Sequence, residues 1–132
     1  MENKKSTGEL SEAIIMAHLL KKGWSVSLPF GNNQRYDMIL DNGDKLLKIQ
    51  CKTAWFRDGC IHFQTASKNG FTNVRTDYHG QIDLFLVYYP VLQKVYCVDV
   101  KLAGKNQMSL RIDDLKPKAP TKNVKWASDY EI

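Results

Sequence analysis

The order of elements predicts an α/β sandwich around a mixed β-sheet. Three observations carry that prediction. One amphipathic helical segment opens the chain, short strand-like runs follow it, and turn residues separate the runs.

The helix comes first. Ser6 and Glu9 stand at capping-box spacing. Leu10, Ala13, Ile14, Ala17 and Leu20 then repeat at helical intervals, which predicts their stripe as the buried face. Lys21 and Lys22 suit the C-terminal end, and Gly23 a stop. Glu12 falls beside the stripe.

Residues 24–28 alternate and read as a strand, and Pro29 to Gln34 as a loop. A second strand is expected over 35–40. Asp41-Asn42-Gly43-Asp44 is a strong hairpin turn, leading into a third strand over 45–53. There Leu47, Ile49 and Cys51 share one face, and Lys48, Gln50 and Lys52 the other. Arg57-Asp58-Gly59 marks a turn before a strand over 60–65. Residues 67–80 are polar and weakly periodic, which suits a long loop or an inserted flap. Residues 82–89 read as a central strand ended by Pro90, with further strands over 95–100 and 108–112.

The chain has 132 residues, 43% hydrophobic and 25% charged, which fits one globular domain over 1–132. No run is long enough to span a membrane, and the apolar start is helical in pattern, so no membrane association and an intracellular, cytoplasmic location are expected. Cys51, Cys60 and Cys97 form no close pair, which argues against a disulfide framework or a zinc site. The net charge is +5. Residues 101–125 hold seven basic and two acidic residues, so a basic C-terminal extension from about 101 carries the excess. Such a stretch suits a phosphate backbone.

Chemistry concentrates around the Asn-Gly turn. Asp37 lies on the strand before it, and Gln50 and Lys52 lie on one face of the strand after it. If Asp37 points the same way, a carboxylate, an amide oxygen and an ammonium converge, and Glu12 can add a second carboxylate. Hard oxygen ligands of this kind hold Mg²⁺. The metal-site reading is Asp37, Gln50, the Cys51 backbone carbonyl and Glu12, directly or through water. Lys52 would orient or deprotonate an attacking water. Glu12, Asp37, Gln50 and Lys52 are thus the catalytic candidates. His18, His62 and His79 form no ligand cluster.

DNA contacts are expected from polar segments. Asn32, Asn33, Gln34 and Arg35 lie beside the site, and Ser67, Lys68, Asn69, Asn73 and Arg75 in the polar insert. Arg and Asn suit base edges, and Lys suits phosphate. Lys116, Lys118, Lys122 and Lys125 would hold DNA from the tail. Trp126 and Tyr130 would dock that tail onto its own domain or a partner.

Gly8-x-x-x-Glu12, Gly23-Trp24, Tyr36-Asp37 and Gln50-Cys51-Lys52 together resemble the PD-(D/E)XK nuclease core, and the layout is similar to archaeal Holliday junction resolvases. The fuller resemblance is to the small group I intron-encoded homing endonucleases of that superfamily. It adds Pro29-Phe30-Gly31, Arg35-Tyr36-Asp37, Thr53, the segment Tyr78 to Asp83 and the end Lys125 to Tyr130. The resemblance implies an αβββαβ restriction-endonuclease-like core, with a central mixed sheet flanked by helices. It further implies Mg²⁺-dependent cleavage of double-stranded DNA, with Mn²⁺ able to substitute, and assembly as a homodimer or homotetramer. The interface is expected from residues 84–89 or 95–98.

Two departures stand out. Tyr36 replaces proline, which has no chemical task there. Gln50 stands where Asp or Glu is usual and removes a charge from the metal site, though the intron endonucleases carry glutamine there as well. A Holliday junction resolvase, a restriction-like nuclease and a non-catalytic DNA-binding protein of the same fold are the alternatives.

Overall fold

A computed structural model of the chain describes residues 3–31, 33–113 and 124–132. Asn32, Lys116, Lys118 and Lys122, all expected at DNA, lie outside the described residues.

Helix α1 spans Lys4–Lys21. Its N-cap is Asn3, whose side chain accepts from the Ser6 N–H at 2.8 Å, so the helix starts before the expected Ser6 cap. Gly23, at φ +85°, supplies the left-handed turn after it. The buried seam is Ser11, Ile15 and Leu19, not the expected stripe. Leu10 and Leu20 are 54% and 53% exposed, and of that stripe only Ile14 packs against the core. A serine occupies the seam because its hydroxyl has a partner: Ser11 Oγ lies 2.6 Å from Thr53 Oγ1. Burying Ile15 and Leu19 contributes roughly 1.5–3 kcal/mol each, enough to decide which face turns inward.

Strands β1 (Ser25–Ser27), β2 (Met38–Asp41) and β3 (Leu46–Thr53) form an antiparallel meander. The β2–β3 turn has its expected chemistry. Asp41 Oδ1 accepts from Gly43 N–H, Asn42 Oδ1 accepts from Asp44 and Lys45 N–H, and Gly43 sits at φ +89°. The chain then makes β4 (Trp55–Arg57), β5 (Cys60–Gln64), β6 (Ala66–Lys68) and β7 (Arg75–Asp77). It returns as β8 (Leu84–Tyr89), parallel to β3, followed by β9 (Lys94–Asp99) and β10 (Gln107–Arg111). The main sheet has the order β1-β2-β3-β8-β9 and is mixed, as expected.

Strand β8 divides the core by period-two alternation. Leu86 and Tyr88 face α1 with Ile15, Leu19, Met38, Leu40 and Ile49. Phe85, Val87 and Tyr89 face the opposite way, into a cluster with Ile61, Phe63, Met108 and Leu110 from a three-stranded sheet, β10-β5-β4. The α/β class therefore stands, with a correction to its flanks. Among the described residues α1 is the one α-helix, and a small sheet covers the face where a second helix was expected. Burial, not helicity, is what that face requires, and the alternating residues of β5 and β10 supply it.

Residues 84–89 and 95–98 were expected at an oligomer interface. They are almost wholly inside this core, so they offer no interface. The polar insert is a flap: β6 and β7 form a two-stranded ribbon. The C-terminal residues dock on their own domain. Cys97 N–H donates to Tyr130 O, Ile132 N–H to Val95 O, and Arg111 N–H to Lys125 O. This covers the outer edge of β9. No helix among the described residues is long and apolar enough to cross a membrane.

Candidate active site

The site arises because β2 is shorter than β3. Register pairs run from Asp41↔Leu46 to Met38↔Ile49 and stop there. Residues 50–53 of β3 therefore have no β2 partner on that edge. Asp37 lies one step beyond Met38, with its N–H donating to Ile49 O at 2.7 Å. Its side chain takes the place of the missing strand: Asp37 Oδ2 accepts from Cys51 N–H at 2.9 Å. A strand residue projects its N–H and C=O from one edge. The Cys51 carbonyl consequently faces the Asp37 edge too.

Glu12 approaches the same notch from α1. Glu12 and Asp37 line one cleft of about 280 Å³ with Leu28, Pro29, Gly31, Gln34 and Tyr36. Burial raises the Asp37 pKa, against the lowering effects of the Cys51 N–H and the Lys52 cation. Burial also raises that of Glu12, with the negative charges of Asp37 and Glu9 adding to it. The Cys51 thiol is pushed well up, first by burial and then by both carboxylates, and stays protonated. Two carboxylates in a half-buried notch, the charge of Asp37 opposing the ionisation of Glu12, form a site that a cation would relieve.

Lys52 reaches the notch from the other side of the sheet. It pairs with Val87 of β8, two residues along β3 from Gln50, and both are half-buried. Its Nζ donates to Tyr78 Oη at 3.4 Å and lies 5.0 Å from that ring's centre. The hydrogen bond between Ser11 and Thr53 joins the neighbours of Glu12 and Lys52, and so fixes helix against strand where both must converge.

Glu12, Asp37 and Lys52 are thus all close enough for their charges to act on the neutral Cys51 thiol, Lys52 acts on Asp37, and Asp37 on Glu12. Gln50 lies one residue beyond Ile49, the last β3 residue paired with β2, and in register with Phe85 of β8. Among the described residues no three His, Cys, Asp or Glu side chains form a ready-made metal cluster. Oxygen donors for a hard cation would be two carboxylates, one carbonyl and one amide, which fits the chemistry of Mg²⁺.

The expected DNA-contact residues divide. Asn33, Gln34, Lys68, Asn69, Asn73, Arg75 and Lys125 are exposed. Asn69 also builds the ribbon tip, its Oδ1 accepting from Phe71 and Thr72 N–H. Arg35 is partly exposed and engaged within the chain. Its guanidinium is spent within the chain, on Gln81 Oε1 at 2.5 Å, Ser67 Oγ, Thr76 O at 3.0 Å and Asp77 O at 2.8 Å. Ser67, held by Arg35, is likewise engaged. His62 is buried between Arg57 O and Ser109 Oγ, away from the notch.

Sequence reasoning missed Tyr78 and Phe71. Tyr78 is buried and touches Lys52 and Arg35; the resembling segment Tyr78 to Asp83 contains it, but nothing in the sequence assigns it a role. Phe71 is 100% exposed at the ribbon tip, and its signal was a large apolar residue inside a mostly polar insert.

Comparison with known proteins bears on the family and the fold. No curated protein matches the chain. Among solved structures it is similar to one described as a bacterial homing endonuclease, I-Ssp6803I, with 25% identity and a TM-score of 0.78, over 98% of this chain and 89% of that one. The family model for PD-(D/E)XK endonuclease matches residues 2–132. With Asp37 at the end of the short strand, Gln50-x-Lys52 on its neighbour and that match over almost the entire length, this chain belongs to the PD-(D/E)XK endonuclease family.

Proposed function

We propose that the protein is a Mg²⁺-dependent endonuclease that cuts double-stranded DNA at a specific site, in the manner of an intron homing enzyme. The observation that carries this is the notch at the end of β2, where Glu12, Asp37 and Lys52 approach from three directions. Asp37, Gln50, the Cys51 carbonyl and Glu12, directly or through water, would hold the cation. When bound, Mg²⁺ polarises the scissile phosphate and acidifies water, and Mn²⁺, which takes the same oxygen donors, would substitute. Lys52 orients or deprotonates the attacking water and offsets the charge that builds on the phosphate. Gln50 contributes an oxygen without a charge, so Glu12 supplies the second negative charge that a usual carboxylate at position 50 would bring.

The duplex is held from outside the notch. Asn33 and Gln34 lie beside the cleft, and Lys68, Asn69, Asn73 and Arg75 lie on the ribbon, whose tip presents Phe71. The tail lysines, Lys125 among them, add phosphate contacts. Cutting both strands with one notch per chain calls for a homodimer or homotetramer. Action on cellular DNA places the protein inside the cell. The near full-length likeness to a homing endonuclease favours that reading over a junction resolvase or a restriction-like enzyme.

The test is cleavage of a random duplex library containing four-way junctions, with Mg²⁺ or with EDTA. Wild type is expected to cut one preferred duplex in Mg²⁺ alone, and Asp37→Ala and Lys52→Ala to lose at least about a hundredfold in rate. Preference for junctions would favour a resolvase. Tight binding without cutting, unchanged in both variants, would leave a non-catalytic DNA-binding protein.

A further inference from the structure

Arg35 stands two residues before Asp37, yet its side chain reaches away from the notch to the ribbon. It grips both ribbon strands near their base. Ser67 and Thr76 are register partners, and Arg35 donates to Ser67 Oγ and to the carbonyls of Thr76 and Asp77. Its Nε holds Gln81, just past the ribbon. Between these contacts its guanidinium carbon lies 4.0 Å from the centre of the Tyr78 ring. Tyr78 is 4% exposed and packs edge-on against Phe85, with centroids 5.6 Å apart. The hydroxyl of that same ring receives the Lys52 ammonium at 3.4 Å.

We propose that Arg35 and Tyr78 are positioning residues that make the alignment of Asp37 and Lys52 depend on how the β6–β7 ribbon sits on DNA. This rests on the nuclease reading above and deepens it. The physical reason is continuity. Beyond its own chain connections at Thr65 and Tyr78, the ribbon is tied to the body by Arg35, whose backbone leads directly into Asp37 and whose guanidinium rests on the ring that steadies Lys52. A ribbon displaced by an ill-fitting duplex pulls on both reacting side chains. A ribbon seated on a matching duplex leaves them in place. Such a device lets a poor site bind and escape cleavage, because misplacing reacting groups by about 1 Å can cost about a hundredfold in rate.

The test uses the full chain and the duplex that wild type selects by cutting. Binding is measured by fluorescence anisotropy with Ca²⁺ in place of Mg²⁺, and single-turnover cutting at saturating protein with Mg²⁺. Tryptic cleavage after Lys68 and Arg75 reports how firmly the ribbon is held. Arg35→Lys keeps the charge and loses the grip. It is expected to bind within about threefold of wild type, to cut about a hundredfold more slowly, and to expose the ribbon to trypsin. Tyr78→Phe keeps the ring beneath Arg35 and loses the hydroxyl. It is expected to leave the ribbon as resistant as wild type while cutting roughly tenfold more slowly. A purely structural role for Tyr78 would not separate those two readouts.

Wild-type cutting rates at saturation in both variants would overturn the proposal. Loss of binding by Arg35→Lys with its saturating rate intact would overturn it too, leaving Arg35 a brace for DNA contact. A wild-type protein that cuts nothing would remove the nuclease reading and this proposal with it, and the wild-type lane alone distinguishes that case.

Discussion

Asp37 shows how much one carboxylate depends on its surroundings. Its Oδ2 accepts from Cys51 N–H and the Lys52 cation is near, yet burial prevails and raises its pKa, as it does for Glu12. A raised pKa means that the metal-free fold binds protons more tightly than the unfolded chain does. Its stability should then fall as pH rises from the ordinary carboxylate range, about 4, through the raised folded values. Bound cation reverses the sign, because it needs both groups ionised. Thermal melts across pH, with and without MgCl₂, are expected to show the metal-free protein losing Tm as these groups ionise, with Mg²⁺ restoring it at neutral pH. Asp37→Asn is expected to melt a few °C higher than wild type without metal, about the effect of one kcal/mol, and to gain nothing from Mg²⁺. A flat metal-free profile with no gain in Asp37→Asn would refute this account of the notch.

The ribbon is where DNA contact is testable element by element. Lys68 and Arg75 are register partners, both exposed, and Phe71 stands free at a tip closed by Asn69. Charge and apolar contact leave different marks on binding. Each lysine or arginine that meets a phosphate contributes about 0.9 to the slope of log K against log salt. Lys68→Ala and Arg75→Ala are each expected to lower that slope by about one. Phe71→Ala is expected to weaken binding to the preferred duplex while leaving the slope unchanged, since an apolar side chain releases no counterion. Salt titrations of the three variants decide it, and equal slopes throughout would take the ribbon off the DNA.

At the scale of the molecule, the core leaves little apolar surface on β8 or β9 for a partner. Apolar surface persists instead on the outer face of α1, at Leu10 and Leu20, where the sequence pattern had suggested burial. A homodimer or homotetramer is expected to sediment at two or four times the 15.2 kDa chain mass, in metal-free buffer and at concentrations where cutting is seen. A monomer that nonetheless cuts both strands would show sequential attack by one site.

The sequence by itself determined what local chemistry controls. Turn residues at 41–44 and 57–59, alternation in β3 and the apolar run of β8 all specify backbone shape within a few residues, and each appears as expected. A period of two likewise placed Gln50 and Lys52 on one face of β3, whereas Asp37, expected inside the preceding strand, lies one residue before it and beyond the register pairs. Tertiary structure decided what depends on distant partners. Ser11 could enter the buried seam only because Thr53 waits 42 residues later, and Arg35 turned to the ribbon because the carbonyls of Thr76 and Asp77 take its donors. The second flank of the sheet became strands because burying Phe85 and Val87 needs only an apolar layer, and β5 and β10 reach that face from opposite ends of the later chain. Local pattern states which groups a segment offers; only the packed fold states which of them are already taken.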